Sequence, residues 1–229
     1  MRLLSSAVLS TSRATEDYLK AVYALATGGG GEPVTTGALA DQLGLSSPSV
    51  SAMIKRLERE HLLERPGPRG VRLTAQGERA ALRVVRRHRL LETFLVRMLD
   101  VPWDEVHAEA ELLEHALSDR LEERIDNALG HPTRDPHGDP IPSRDGSHDE
   151  DWGECLGDAP AGGRFRVERV SDRDSEALRY LGVLGVVPGA VLEVDEQSPF
   201  EGPQWVRIRG ERHALGAPLT RLVHGRTER

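Results

Sequence analysis

The stretch Asp104–Ala128, DEVHAEAELLEHALSDRLEERIDNA, brings together His107, Glu111, Glu114 and His115. Their offsets are i, i+4, i+7 and i+8. At about 100° per residue, the α-helical pitch, all four fall on one arc of a helix. Two imidazoles and two carboxylates on one side of a helix are a metal-site composition; a solvated acidic face is the competing reading. Val106, Ala110, Leu113, Leu117, Leu121, Ile125 and Ala128 form an apolar stripe beside that arc. The periodicity therefore predicts one long helix with the polar arc at its buried edge. A second His–Glu pair, His88 and Glu92, stands in AALRVVRRHRLLETFLVRML over 80–99 and repeats the spacing of His107 and Glu111. Alone, such an i, i+4 pair is an ordinary side-chain hydrogen bond.

Something must position these groups, and the charge distribution divides the chain. The net charge is −7. Residues 1–87 hold 13 Lys+Arg against 8 Asp+Glu, a balance of +5, and residues 88–229 hold 17 against 29, a balance of −12. A basic front and an acidic rear suggest a DNA-facing part joined to a cation-handling part. The single cysteine, Cys155, excludes an intramolecular disulfide and a cysteine-based zinc module, and it is compatible with a reducing cytoplasm. No apolar run reaches the length of a membrane span. Residues 1–14 read as a flexible lead-in.

The front, residues 15–80, reads as a winged helix. TEDYLKAVYALA opens with Thr15 as N-cap and with Glu16 and Asp17 in the first turn, where the helix dipole favours anions. On its own, Asp17 serves that helix end. TTGALADQL and PSVSAMIKRLERE follow, separated by GLSS, and make a helix-turn-helix. Leu62–Arg65 and Val71–Leu73 bracket PGPRG, a hairpin whose tip carries Arg69. In that fold the second helix enters the major groove. Its tip and outward face offer Ser46, Ser47, Pro48, Ser49, Ser51 and Ala52, small enough for close approach to base edges. Lys55, Arg56 and Arg59 follow where phosphates would lie.

These residues resemble the diphtheria-toxin-repressor family of metal-dependent transcriptional repressors. The resemblance rests on ATEDYLKAVYAL, LSSPSVSAMIKRL, RRHRLLETFL, VHAEAELLEHALSD and the DPHGDPIP turn at 135–142. It covers most of the chain from about Thr15. It implies an α+β protein: an N-terminal winged helix, a helical dimerisation domain that holds metals (81–129 here), and a C-terminal SH3-like small β-barrel. By the resemblance, Asp17, Glu111, Glu114 and His115 match the regulatory metal site, and His88, Glu92 and His107 the ancillary site. Iron-responsive members usually have Met at the position of Asp17 and Cys at that of Glu111. Hard carboxylates in both places point to Mn²⁺, with Fe²⁺ as the alternative. Short manganese-responsive members carry a Glu where this chain has Lys20, so separate sites, as in three-domain members, are implied.

The Pro- and Gly-rich stretch 130–152 reads as a linker. Beyond it, 153–229 holds alternating segments at Phe165–Val170, Val191–Val194 and Trp205–Ile208 and a helical insert at Ser175–Leu184. The resemblance implies an ancillary ligand from this domain, and the nearest matches are Asp174 and Glu176. The expectation is a cytoplasmic, homodimeric, Mn²⁺-activated repressor of metal-uptake genes that binds double-stranded operator DNA, with neither a membrane nor a small organic substrate as partner. An iron-dependent repressor, a metallohydrolase built on the His/Glu cluster, and a metal-independent winged-helix regulator are the rivals. HExxH is absent, which weighs against the hydrolase.

Overall fold

A computed structural model describes residues 12–67, 69–147, 152–200 and 202–228. Most of the expected lead-in, residues 1–11, and the end of the expected linker, 148–151, lie outside the described residues. The chain divides into two compact units, Met1–Arg86 with Arg144–Gly146, and Arg87–Ser143 with Ser147–Arg229.

The first unit is built on α1 (Arg13–Gly28), α2 (Thr36–Leu43) and α3 (Ser47–Arg59), then the strands β1 (Leu63–Glu64) and β2 (Arg72–Leu73), which pair antiparallel. α1 starts three residues before the sequence expectation. Ser12, not Thr15, is its N-cap; the Ser12 hydroxyl accepts from the Thr15 amide, and Thr15 is buried. Thr35 and Ser46 cap α2 and α3 by the same bond to the third residue on, which satisfies an otherwise orphan amide. Gly44 ends α2 in the left-handed conformation (φ 64°), the turn between the two helices. Leu19, Val22, Leu39, Val50, Ile54 and Leu57 form the buried core of this unit.

α4 runs from Ala75 to Leu99 as one helix. Leu82 and Val85 join the front core, whereas Leu90 and Leu91 join a second core with Ala110, Leu117, Ile125 and Ile141. The single long helix expected over 104–128 is instead α5 (Val106–Leu113) and α6 (Asp119–Ala128). The first ends at Leu113, and Ser118 caps the second, accepting from the Leu121 amide at 3.3 Å, while Asp119 and Glu122 add favourable charge to the new first turn. The break splits the predicted stripe: Val106, Ala110, Leu117 and Ile125 are buried, but Leu113, Leu121 and Ala128 are exposed.

Residues 130–143, expected as linker, carry buried side chains at Asp135, His137, Asp139 and Ile141. Arg134 and Pro140 form an isolated antiparallel bridge, which closes a turn over Asp135–Asp139. The C-terminal segment forms β3 (Glu154–Cys155), β4 (Arg164–Val170), α7 (Ser175–Leu184), β5 (Val191–Gln197), β6 (Gln204–Ile208), β7 (Glu211–Leu215), α8 (Ala217–Thr220) and β8 (Val223–Glu228). The strands make one six-stranded sheet in the order β3-β8-β4-β5-β6-β7, all neighbours antiparallel. Phe165, Val167, Leu192, Val194, Val206 and Ile208 alternate with outward residues and fill its core. The strands β3, β7 and β8 were not marked by the alternation seen in the other three.

Candidate metal centre and nucleic-acid interface

Within the second unit, α4, α5 and the loop before α7 bring four donor groups together. His88 Nε2 lies 2.9 Å from Glu92 Oε1 and 3.1 Å from His107 Nδ1. His107 Nδ1 lies 3.3 Å from the same Glu92 oxygen and 2.9 Å from Asp172 Oδ2. The four ligand atoms of His88, Glu92, His107 and Asp172 all fall within 4.8 Å of one another. His88 and Glu92 meet because four residues on one helix face are one turn apart. Their burial would be unfavourable for charged groups without partners, and the convergence supplies those partners.

The electrostatics follow from that convergence. Burial alone would raise the Glu92 carboxyl, but the charge of His88 and the hydrogen bonds from His107 and His88 outweigh it and hold Glu92 well below the usual carboxylate range. Burial opposes protonation of His107, yet its bonds to Asp172 and Glu92 carry its pKa up to about 10. Asp172 is drawn down to about 2, burial being overcome by the His107 hydrogen bond. A proton on His107 thus sits where a cation would satisfy the same carboxylates. Two imidazoles and two carboxylates fit a divalent first-row cation with nitrogen and oxygen preference.

Asp172 was not singled out from sequence. The expected residues Asp174 and Glu176 are exposed, and the Asp174 carboxylate caps α7, accepting from the amides of Glu176 and Ala177 at 3.0 Å each. A helix start at Ser175 makes the preceding Asp the cap. That signal, present in the sequence, would have turned attention from Asp174 to Asp172.

Glu111, Glu114 and His115 stand at the end of α5 and in the turn after it. Glu114 is fully buried and accepts from His88 Nδ1 at 2.6 Å; Glu111 lies 3.9 Å from that nitrogen and 3.7 Å from His107 Nε2. His115 Nε2 is 3.4 Å from Glu114 Oε1. Asp17, half-buried on α1, belongs to the first unit.

A third group was missed altogether. His137 and Asp135, fully and nearly fully buried, come from the segment expected to be a linker. Burial first, and the charge of Glu92 second, push the Asp135 carboxyl well above its usual range. A histidine and two aspartates in a tight DPHGD turn were the available signal.

In the first unit, Ser46, Ser47, Pro48, Ser49, Ala52, Lys55, Arg56 and Arg59 are exposed along α3, Ser51 is half-buried, and Arg69 is exposed at the hairpin tip. The inner face, Val50, Ile54 and Leu57, is fully buried, so these residues lie on the outward side of α3. Arg56 is held by Glu60 at 2.8 Å, one turn on, whereas Arg59 donates to the Lys55 carbonyl at 3.3 Å.

A helix-turn-helix with a hairpin, joined to helices that gather buried His, Asp and Glu and then to a small antiparallel sheet, defines a metal-dependent DNA-binding regulator. Three family profiles match most of the chain: "Iron dependent repressor, N-terminal DNA binding domain" over residues 10–71, "Iron dependent repressor, metal binding and dimerisation domain" over 74–143, and "FeoA domain" over 155–226. The chain is 38% identical over 200 residues to the iron-dependent repressor IdeR of Mycobacterium leprae, covering 81% of this chain and 84% of that protein. It is similar to a solved manganese-dependent transcriptional repressor in complex with manganese, with 41% identity, a TM-score of 0.85, and coverage of 93% of this chain and 100% of that one. It is also similar to the manganese regulator SloR, with 31% identity, a TM-score of 0.78, and coverage of 93% and 98%. The chain belongs to the iron-dependent (diphtheria toxin) repressor family. It is a metal-dependent transcriptional repressor, not an enzyme, with operator DNA and a second copy of itself as partners. Among the described residues, no helix is long and apolar enough to cross a membrane.

Proposed function

We propose that this repressor answers to Mn²⁺, as a cytoplasmic corepressor-dependent regulator of metal-uptake genes. The observation that carries the reading is the donor set: Asp17 and Glu111 are carboxylates, and the one cysteine of the chain, Cys155, is remote in sequence from both. Mn²⁺ stands lowest in the divalent affinity order, and a site without thiolate or thioether gives later metals no soft-ligand advantage. Asp17, Glu111, Glu114 and His115 are the proposed regulatory ligands. His88, Glu92 and His107, joined by Asp172, are the proposed ancillary ligands.

Metal acts as corepressor if the ion-bound protein binds DNA better than the ion-free one, and no further coupling is needed. Ser46, Ser47, Pro48, Ser49, Ser51 and Ala52 approach the bases, and Lys55, Arg56, Arg59 and Arg69 the phosphates. Without an Arg, Asn or Gln at the helix tip, hydroxyl contacts and DNA shape carry the sequence preference.

The test is selection of genomic DNA fragments by the purified protein, anaerobically, in Mn²⁺, Fe²⁺, Co²⁺ or Zn²⁺. Fragments upstream of metal transporters are expected at the lowest free concentration of Mn²⁺. Retention at lower Fe²⁺ than Mn²⁺ would establish the iron-dependent alternative.

A further inference from the structure

His107 and Asp172 belong to two short segments that also touch at a second place. One segment, Trp103–His107, leads into α5; the other, Asp172–Gly182, leads into α7 and along it. His107 Nδ1 meets Asp172 Oδ2 at 2.9 Å. Apart from that contact, the indole of Trp103 lies against Gly182, and Arg179 Nε donates to Asp104 Oδ2 at 2.8 Å. Arg179 and Gly182 are three residues apart and so share one side of α7.

Gly182 has a packing reason to be glycine. It sits inside a helix, where glycine is less favourable than alanine, and its backbone takes no positive φ. A Cβ there would stand 2.8 Å from Trp103 Nε1, 3.0 Å from Cζ2 and 3.1 Å from Cε2. The missing side chain is therefore room for the indole. Trp103 packs against the buried core of the sheet, while its carbonyl accepts from His137 Nε2 at 2.7 Å and its ring stacks on that imidazole at 5.6 Å. The side chain of Arg179 is 58% exposed, so its ion pair with Asp104 contributes little. The large apolar area of the indole carries the contact. Neither Trp103 nor Gly182 offers a donor atom to the group of His88, Glu92, His107 and Asp172.

We propose that Trp103, seated on Gly182, is a positioning residue of this repressor: it fixes α7 against the start of α5 and so presents Asp172 to the cation of the His88–Glu92–His107 group. The inference rests on the proposed ancillary site. Asp172 stands two residues before Asp174, the cap of α7, so a fixed α7 fixes it. The seat is apolar and needs no ion, so it holds in the metal-free protein. The ligand is then in place before the cation arrives, which removes an ordering cost from binding.

The test is calorimetric titration of the full-length protein with MnCl₂. Trp103→Ala and Gly182→Ala should each weaken ancillary Mn²⁺ binding by about 10- to 100-fold, the range for groups that support a ligand, and Trp103→Phe by less. Gly182→Ala discriminates best, because alanine favours the helix and a role confined to α7 stability would not lower affinity. In an Asp172→Asn background neither alanine variant should cost further affinity, since both act through Asp172. Hydrogen exchange of the metal-free protein should find the amides of 172–184 protected in the parent and faster in Gly182→Ala. Parent-like affinity in Gly182→Ala, or an equal loss with and without Asp172, would overturn the proposal, and Gly182→Ala carries the test if Trp103→Ala does not fold. A metal-free parent whose 172–184 amides exchange as fast as those of the variant would overturn it too. Parent-like Mn²⁺ binding by Asp172→Asn would instead overturn the ancillary reading, and the positioning role with it.

Discussion

His88 turns its two ring nitrogens to two different carboxylates, Nδ1 to Glu114 and Nε2 to Glu92. A proton held on Nδ1 by Glu114 leaves Nε2 to a cation, so a proposed regulatory ligand also orients a proposed ancillary one. Glu114→Gln should therefore weaken Mn²⁺ at the ancillary group by roughly 10- to 100-fold, the usual range for outer-shell partners, as well as impairing regulation. Calorimetry of the variant against MnCl₂ measures this; an unchanged ancillary affinity would separate the two sites. His107 supplies the pH dependence. Its pKa rises from 6.5 unfolded to about 10 folded, so in the metal-free protein its contribution to stability is complete below about 6.5 and is lost as pH climbs toward 10. About 39% of its side chain is exposed, so solvent screens part of that contribution. A Mn²⁺ ion bound at His107, as proposed, would displace the same proton, and its affinity should rise over the same window. The metal-free parent should thus lose thermal stability relative to His107→Asn between pH 7 and 10, and the Mn²⁺-loaded parent should not. Parallel profiles in both states would show that proton and metal do not compete at His107.

At the scale of elements, the structure shows what periodicity can and cannot reveal. α2, α3, the hairpin and α7 were legible because each has its own cap, turn and apolar repeat. Spacing marked His88 with Glu92 and His107 with Glu111 as two His–Glu pairs, and only the family resemblance grouped His88, Glu92 and His107. The break between α5 and α6 was hidden because Leu113, Leu121 and Ala128 keep helical spacing although none is buried. Asp172 and His137 reach the site through tertiary contacts, across 65 and 45 residues from His107 and Glu92, and no local repeat marks them. The turn that carries His137 depends on Gly138 at φ 92°, where an added Cβ would run into the Glu168 carbonyl. Gly138→Ala should destabilise the protein by at least about 1–3 kcal/mol, from backbone strain alone. Urea denaturation followed by far-UV dichroism would show it, and a parent-like midpoint would mean that the turn relaxes without loss. On α3, Arg59→Ala should weaken binding to all DNA sequences alike and lower the salt slope by about one, the signature of one lost phosphate contact. A parent-like slope of log affinity against log salt would remove Arg59 from the backbone interface.

At the scale of the whole molecule, five of the nine exposed large apolar side chains among the described residues lie between residues 98 and 121. Met98, Leu99, Leu112, Leu113 and Leu121 are each more than 40% exposed, and all lie in the stretch matched to the metal-binding and dimerisation profile. Exposed apolar side chains that form one contiguous patch are a surface that a partner covers. Leu112→Glu should shift the homodimer toward monomer in light scattering at micromolar concentration and weaken DNA binding with it, since two recognition helices then no longer act together. A dimer as tight as the parent would place the interface elsewhere.

The central claim is that hard ligands make this a manganese-responsive repressor. Its most direct test is the paired exchange Asp17→Met with Glu111→Cys, assayed for operator binding under anaerobic titration with Mn²⁺, Fe²⁺ and Co²⁺ beside the parent. Each single exchange should have a smaller effect than the pair, because two ligands proposed for one ion need not act additively. The account predicts that the parent is activated first by Mn²⁺ and the double variant first by Fe²⁺ or Co²⁺. A double variant that still responds first to Mn²⁺ would contradict it.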